Sequence, residues 1–332
     1  MIGPSRIVQM ASAYYESCVL FAACDAGVFG KLAQLGQSDA MRLAHELRLD
    51  PRGARLLLDG CVAVGLLVKE GDLYRNTPES AAFLVPGRAW DLSGAISYNR
   101  DVFSAWGKLK ELVESGRPVE RPELHLGLDP QRTRTFILSM HYRALGIGRA
   151  VVPHIPVAGR KTLFDVGGGP GTYSVLLAQA NPGLTCTVLD LPEVVGIADE
   201  LICQQGMSER VKTLAGDYRT TPFPAGVDVI IFFGVLHQES PESIRSLFGK
   251  AFGCLNAGGQ VYVMDMMTDA THTQPAFSAL FAINMALTTE NGWVFADAEL
   301  RQWMEEAGFI EFTVRPVGPS MPHWLAAAKK PA

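Results

Sequence analysis

The chain has 332 residues, 48% of them hydrophobic and 19% charged, a balance that suits a globular protein with room for two domains and argues against a disordered tail or a fibre. A formal net charge of −5 offers nucleic acid no electrostatic attraction, so small molecules or other proteins are the expected partners. The six cysteines form no CxxC pair and the seven histidines no HExxH or HxH spacing, which speaks against a zinc ribbon, a disulfide scaffold or a dedicated metal site and suits the reduced thiols of a cytoplasmic protein.

Residues 6–24, RIVQMASAYYESCVLFAAC, set Ile7, Met10, Tyr14, Val19 and Phe21 among small residues, the pattern of a largely buried helix. The apolar run that follows has no basic leader and is interrupted by Asp25, so neither a signal peptide nor a membrane span is expected. SDAMRLAHEL opens on Ser38 as an N-cap, and DPRGARLLLDGCVAVGLL on Asp50 as a cap with Pro51 at the first helical position. LLVKEGDLYRNT then reads as a β-hairpin turning on Glu70, Gly71 and Asp72. Helix, helix, hairpin is a winged-helix order. A DNA-binding winged helix needs clustered positive charge, whereas residues 1–100 carry ten Lys plus Arg against ten Asp plus Glu. The region is therefore expected to be a dimerisation and lid module whose apolar first helix a second chain covers.

Helical pattern continues through 101–157 as a connector, and from 158 to 332 strands alternate with helices. KTLFDVGGGPGTYSVLLAQA reads as strand, glycine turn and helix; LTCTVLD, VKTLAGD, VDVIIFF and GGQVYVMDMM follow as four further strands. Such alternation predicts a parallel sheet whose ligands gather outside the carboxyl ends of the strands. Gly167, Gly169 and Gly171 let the backbone pass close to a ligand, but Thr172 stands where a GxGxxG motif has its last Gly or Ala. Asp190, ending the next strand about twenty residues on, suits the hydroxyls of a ribose, and Asp217 with Tyr218 suits an adenine. Each acid alone reads equally well as a cap or loop residue. At successive strand ends they point to a nucleoside ligand. VIIFFGVLHQES delivers His237 to the same edge, where it reads either as a satisfied structural ring or as a base.

LFDVGGGPGT, VLDLPEVV, GDY, VLH, LNAGGQVYVMD and EEAGF stand in the order of the class I S-adenosylmethionine-dependent methyltransferases. The chain resembles their O-methyltransferase group of the caffeate and acetylserotonin type, across both parts of its length. The resemblance implies an α/β fold, with a Rossmann-like seven-stranded methyltransferase sheet behind an N-terminal helical, winged-helix-like dimerisation domain, and a homodimer. It implies S-adenosyl-L-methionine held by Asp165, Gly167, Gly169, Gly171, Asp190, Leu191, Asp217, Tyr218 and Phe233. His237 would be the general base, with Asp265 and Glu290 as its acidic partners, and no metal would take part. A small-molecule acceptor, an aromatic or natural-product hydroxyl, would lie against Phe136, Met140, Asn284 and Met285, with Asn99 and Trp106 as weaker candidates. No nucleic acid and no membrane are implied.

Three departures adjoin the base. Val294 stands where many relatives carry Glu in a GxER stretch, with Glu290 close by; the usual HDW is HQE, placing Gln238 after the histidine; and Phe233 and Gly234 replace an upstream Lys or Arg. C- or N-methylation, or use of the cofactor for something other than transfer, therefore stays open. A nicotinamide-dependent oxidoreductase would share the sheet and Asp190 but lacks here both the GxGxxG spacing and a paired Tyr and Lys.

Overall fold

The computed structural model describes every residue except Met1, Ile2, Ala89, Pro122, Leu124, His125 and Ser320. Two compact units divide the chain, Met1–Arg100 and Asp101–Ala332.

The first unit runs α1 (Ser5–Ser12), α2 (Tyr14–Asp25), α3 (Val28–Leu35), α4 (Ala40–Leu47), α5 (Pro51–Ala63), β1 (Leu67–Glu70), β2 (Leu73–Asn76) and α6 (Pro78–Phe83). Phe29, Leu32, Leu43, Leu58 and Tyr74 form its core. Asp50 caps α5 as expected, accepting from Gly53 N at 2.7 Å with Pro51 at the first turn, and the hairpin turns where predicted, with Glu70 opposite Leu73. The cap of α4 is Asp39, which accepts from Arg42 N at 2.8 Å, and not Ser38. Ser38 is drawn into a bridge with Tyr74, their backbones exchanging hydrogen bonds of 3.1 and 2.8 Å, and an extended residue committed to a strand partner leaves the cap to its neighbour. The helix expected to be buried is also different. It is two helices, α1 and α2, of which only Ala23 is buried, while Ile7 is 73% and Met10 66% exposed beside exposed Val8, Tyr14 and Tyr15. Within the 21 residues Ser5–Asp25 an 18-residue stretch reaches a mean hydropathy of 1.2, enough by length and composition to cross a membrane; an apolar face that another chain covers has the same composition.

The second unit is built on β3 (Thr162–Val166), β4 (Thr185–Asp190), β5 (Val211–Ala215), β6 (Val227–Phe233), β7 (Leu255–Asp265), β8 (Ile310–Pro316) and β9 (Trp324–Lys329). They form a seven-stranded sheet in the order β5-β4-β3-β6-β7-β9-β8. The five strands that alternate with helices, β3 to β7, are parallel as expected; β9 runs antiparallel to β7 and β8 antiparallel to β9, so the full sheet is mixed. The unbroken apolar strands are explained by burial on both faces. Ile230 and Phe232 point into one core, Val229, Ile231 and Phe233 into the other. Helices α7 (Ser93–Trp106), α8 (Leu109–Ser115) and α9 (Pro130–Val151) precede the sheet in the chain, and α10 (Thr172–Ala180), α11 (Pro192–Gln204), α12 (Pro241–Cys254), α13 (Ala276–Thr288) and α14 (Asp297–Glu306) connect its strands. From β3 the chain moves outward through β4 and β5, then returns through β6 and β7 on the other side. The switch point between β3 and β6 opens the crevice where doubly wound sheets bind ligands.

Candidate active site

The turn after β3 holds Gly167, Gly169 and Gly171 at φ 64°, 53° and 69°, a region that side chains strain to enter. A Cβ on Gly167 would lie 2.7 Å from Val235 Cγ2, and one on Gly168, which the motif reading passed over, 2.6 Å from Asp165 Cγ. These two glycines are required by packing. Above Gly169 a Cβ would meet nothing within 4 Å, so the turn leaves an open cradle there.

Two carboxyls face that turn, Asp165 buried and Asp190 half-buried. Asp165 Oδ2 accepts from Ser174 Oγ at 2.7 Å, while Oδ1 has no partner among the described residues. Burial raises its pKa to about 7, against the pull of Ser174. A cationic ligand group is what such an oxygen lacks. Asp190 Oδ2 accepts from Gly169 N at 2.7 Å and Oδ1 from Leu191 N at 2.8 Å, so the first residue after β4 and the glycine turn orient one carboxylate together. Burial pushes this carboxyl up as the two amides pull it back, and each oxygen keeps a lone pair for a hydroxyl donor. Asp217, just after β5, is half-buried and accepts from Arg219 N at 2.8 Å. The Tyr218 ring comes within 3.4 Å of the Cβ position of Gly167. Phe233 closes β6, its ring edge-on to Tyr173 at 5.1 Å. An orphaned acid, an oriented carboxylate and an open cradle fit the ammonium, ribose and backbone-hugging shape of S-adenosylmethionine.

Beyond β6, Gly234 at φ 69° reverses the chain into a single 3-10 turn, Leu236–Gln238, which carries His237. Its Nδ1–H donates to Asp265 Oδ1 at 2.6 Å, and its backbone N donates to Oδ2 at 3.3 Å. Asp265, the last residue of β7, also accepts from Met266 N at 2.8 Å. The carboxylate is 1% and the imidazole 14% exposed, and Phe281 meets the ring edge-on at 5.3 Å. With Nδ1–H committed to the acid, Nε2 is the basic nitrogen, held in one orientation.

The structure brings His237 and Asp265 together and leaves Glu290 apart: Glu290 is exposed beyond the end of α13 and makes no hydrogen bond or ion pair with the ring among the described residues. Phe136 and Met140 are half-buried one turn apart on α9. Asn284 and Met285 are buried on α13, and Trp106 Nε1 donates to Asn284 Oδ1 at 2.9 Å. Asn99 belongs to the first unit.

Glu239 escaped the motif reading. It is 1% exposed and accepts from Tyr218 OH at 2.6 Å, from Arg219 Nη2 at 2.7 Å and from Ser243 Oγ. Burial pushes its carboxyl up, yet Arg219, Ser243 and Tyr218 together hold it below its ordinary range. Trp293 closes the same turn, its N donating to His237 O at 2.9 Å and its indole to Glu239 O at 2.8 Å. The only signal in the sequence was the acid in HQE, where relatives carry Trp.

Residues 8–86 match the O-methyltransferase dimerisation domain and residues 123–310 the O-methyltransferase domain. The chain is 30% identical over 331 residues to 3-hydroxy-5-methyl-1-naphthoate 3-O-methyltransferase of Streptomyces sahachiroi, covering 98% of this chain and 95% of that protein. It is 31% identical over 338 residues to the tetracenomycin polyketide synthesis 8-O-methyl transferase of Streptomyces glaucescens, covering 99% and 97%. Its fold superposes on human N-acetylserotonin methyltransferase in complex with SAM with a TM-score of 0.90 at 26% identity, over 100% of this chain and 99% of the other. With a glycine cradle built for the cofactor and both family domains in order, the chain belongs to the S-adenosylmethionine-dependent O-methyltransferases.

Proposed function

We propose that this enzyme methylates a hydroxyl on a small aromatic or natural-product acceptor, with Nε2 of His237 as general base and Asp265 orienting the ring. The observation that carries the reading is the 2.6 Å His237–Asp265 pair, placed on the sheet edge that holds the glycine cradle. When bound, S-adenosylmethionine supplies a methyl group on a sulfonium, an electrophile open to in-line displacement. Asp165, Gly167, Gly169, Gly171, Asp190, Leu191, Asp217, Tyr218 and Phe233 hold it in this reading, Asp165 toward the ammonium and Asp190 toward the ribose. Phe136, Met140, Asn284 and Met285 line the acceptor.

The acceptor oxygen must lose its proton as it gains the methyl. A phenol of pKa about 10 facing an imidazole of about 6.5 makes complete prior transfer cost about 4.8 kcal/mol. Asp265 holds the ring with Nε2 free to accept, and the proton moves to Nε2 as the new C–O bond forms, so complete prior transfer is not needed. Residues 1–100 serve dimerisation, 101–157 connect to the acceptor wall and 158–332 carry the transfer, in a cytoplasmic homodimer acting on neither nucleic acid nor membrane.

His237→Ala is expected to leave S-adenosylhomocysteine affinity within about 0.5 kcal/mol while cutting turnover by about 10² to 10⁴. Wild-type turnover of the best acceptor by this variant would return His237 to a structural role.

A further inference from the structure

His323, within electrostatic reach of His237, and its neighbour Arg143 have no part in the transfer machinery above. His323 immediately precedes β9, whose Trp324 pairs with Asp265, and it is 8% exposed. Its Nε2 lies 3.2 Å from Arg143 Nη2. A guanidinium can only donate, so Nε2 is the acceptor and the ring proton sits on Nδ1. That Nδ1–H has no acceptor among the described residues. Burial first, then the charges of Arg143 and His237, push the ring's pKa down to about 3, so it stays neutral and keeps this tautomer.

Arg143 lies on α9 three residues after Met140 and seven after Phe136, a spacing that aligns all three on one helical face. It is half-buried, its charge reaches Tyr173, and Tyr173 packs on Phe233 at the end of β6. Among the described residues it makes no ion pair with a carboxylate. A half-buried cation without a counter-ion and a buried donor without an acceptor are each unfavourable. Side by side, they complement a carboxylate, whose two oxygens accept from both.

We propose that Arg143 and His323 form an anion subsite in the acceptor pocket, and that the acceptor is a hydroxyarene carboxylic acid whose carboxylate docks there while its hydroxyl meets His237. The proposal rests on the reading of His237 as the base of O-methylation. It assigns Arg143 and His323 to specificity and leaves the bond-making step with His237.

The test measures binding, by calorimetry on enzyme loaded with S-adenosylhomocysteine, of two matched pairs: 3-hydroxy-1-naphthoic acid against 2-naphthol, and 3-hydroxybenzoic acid against phenol. The acid of at least one pair is expected to bind about tenfold or more tightly than its neutral partner. Arg143→Met is expected to reduce that preference to less than about twofold, with Arg143→Lys and His323→Asn, which keep a charge or a donor, in between. Thermal melts of all three variants identify any that fail to fold, and the conservative pair then decides. Equal binding of acid and neutral partner by the wild type, or no binding of either acid, overturns the subsite. So does a loss of S-adenosylhomocysteine affinity in Arg143→Met with the acid preference intact, because the guanidinium would then serve the cofactor's own carboxylate. Failure of the parent reading looks different: His237→Ala would methylate at the wild-type rate while the acid preference persisted.

Discussion

Asp165 and Glu239 show how two buried acids in one site are driven in opposite directions. Asp165 has one oxygen without a partner and a pKa raised to about 7, so its ionisation waits for a counter-charge. A ligand ammonium lowers that pKa on binding, and affinity then depends on pH through linkage. S-adenosylhomocysteine is expected to bind up to about tenfold more tightly at pH 8 than at pH 6. Asp165→Asn should flatten that dependence, and calorimetry at the two pH values decides; an unchanged slope in the variant places the titration elsewhere. Glu239 is held below its ordinary range by its partners, so the sign reverses. Its contribution to stability is complete above the unfolded carboxyl value of about 4.3 and is lost as pH falls through its folded value. Glu239→Gln leaves Tyr218, Arg219 and Ser243 with a weaker partner. Urea denaturation at pH 7 should show a loss of about 1–3 kcal/mol, kept at the low end because Arg219 is half exposed. His237 and Asp265 could be placed on the ligand edge from the sequence because Asp265 ends one apolar strand and His237 follows another, although the structure sets His237 four residues past the end of β6, on a 3-10 turn. Glu239, Arg143 and His323 could not, since Glu239 meets Arg219 and Tyr218 across 20 and 21 positions and Arg143 meets His323 across 180, and no spacing rule reports such contacts.

At the scale of elements, the β3–glycine turn–α10 unit combines two different demands that the string VGGGPG does not separate. Gly168 is required by its neighbours: a Cβ would press on Asp165 and Val188 at 2.6–2.7 Å. Gly169 sits at φ 53° under open space. Gly168→Ala is therefore expected to show mainly in stability, by about 1–3 kcal/mol of overpacking. Gly169→Ala should cost about 1–2 kcal/mol for its backbone and, in addition, abolish measurable S-adenosylhomocysteine binding by filling the cradle. Melting curves and calorimetry on the two variants separate the roles; full cofactor affinity in Gly169→Ala would remove the turn from the ligand site. The five parallel strands were legible from their apolar runs. The antiparallel return of β8 and β9 was not: strand polarity is set by how the connecting chain packs, and the residues of 310–329 carry no sign of direction. The α4 cap was misplaced by one residue for a similar reason, because the bridge between Ser38 and Tyr74 joins residues separated by α4, α5 and β1, a contact no local pattern reveals.

Across the whole molecule, the first hundred residues balance ten basic against ten acidic side chains, yet α1 and α2 hold Ile7, Val8, Met10, Tyr14 and Tyr15 in solvent. Composition alone could not distinguish a buried helix from an interface helix, since both are apolar; the difference lies in whether the rest of the chain folds over it. Leaving this face open to water is unfavourable, and a match to a dimerisation domain over residues 8–86 supports a second copy of the chain as its cover. A stable two-fold contact buries about 1,600 Å² in total, and one acidic residue placed within such an apolar contact is left without water or partner. The wild type is therefore expected to scatter light as a dimer of the 35.9 kDa chain at micromolar concentration, and Met10→Glu combined with Tyr14→Glu as a monomer with its methyltransferase unit still folded. Flotation with phosphatidylcholine vesicles tests the competing use of the same apolar segment: a wild type that stays monomeric and floats would assign Ser5–Asp25 to a lipid surface and overturn the homodimer.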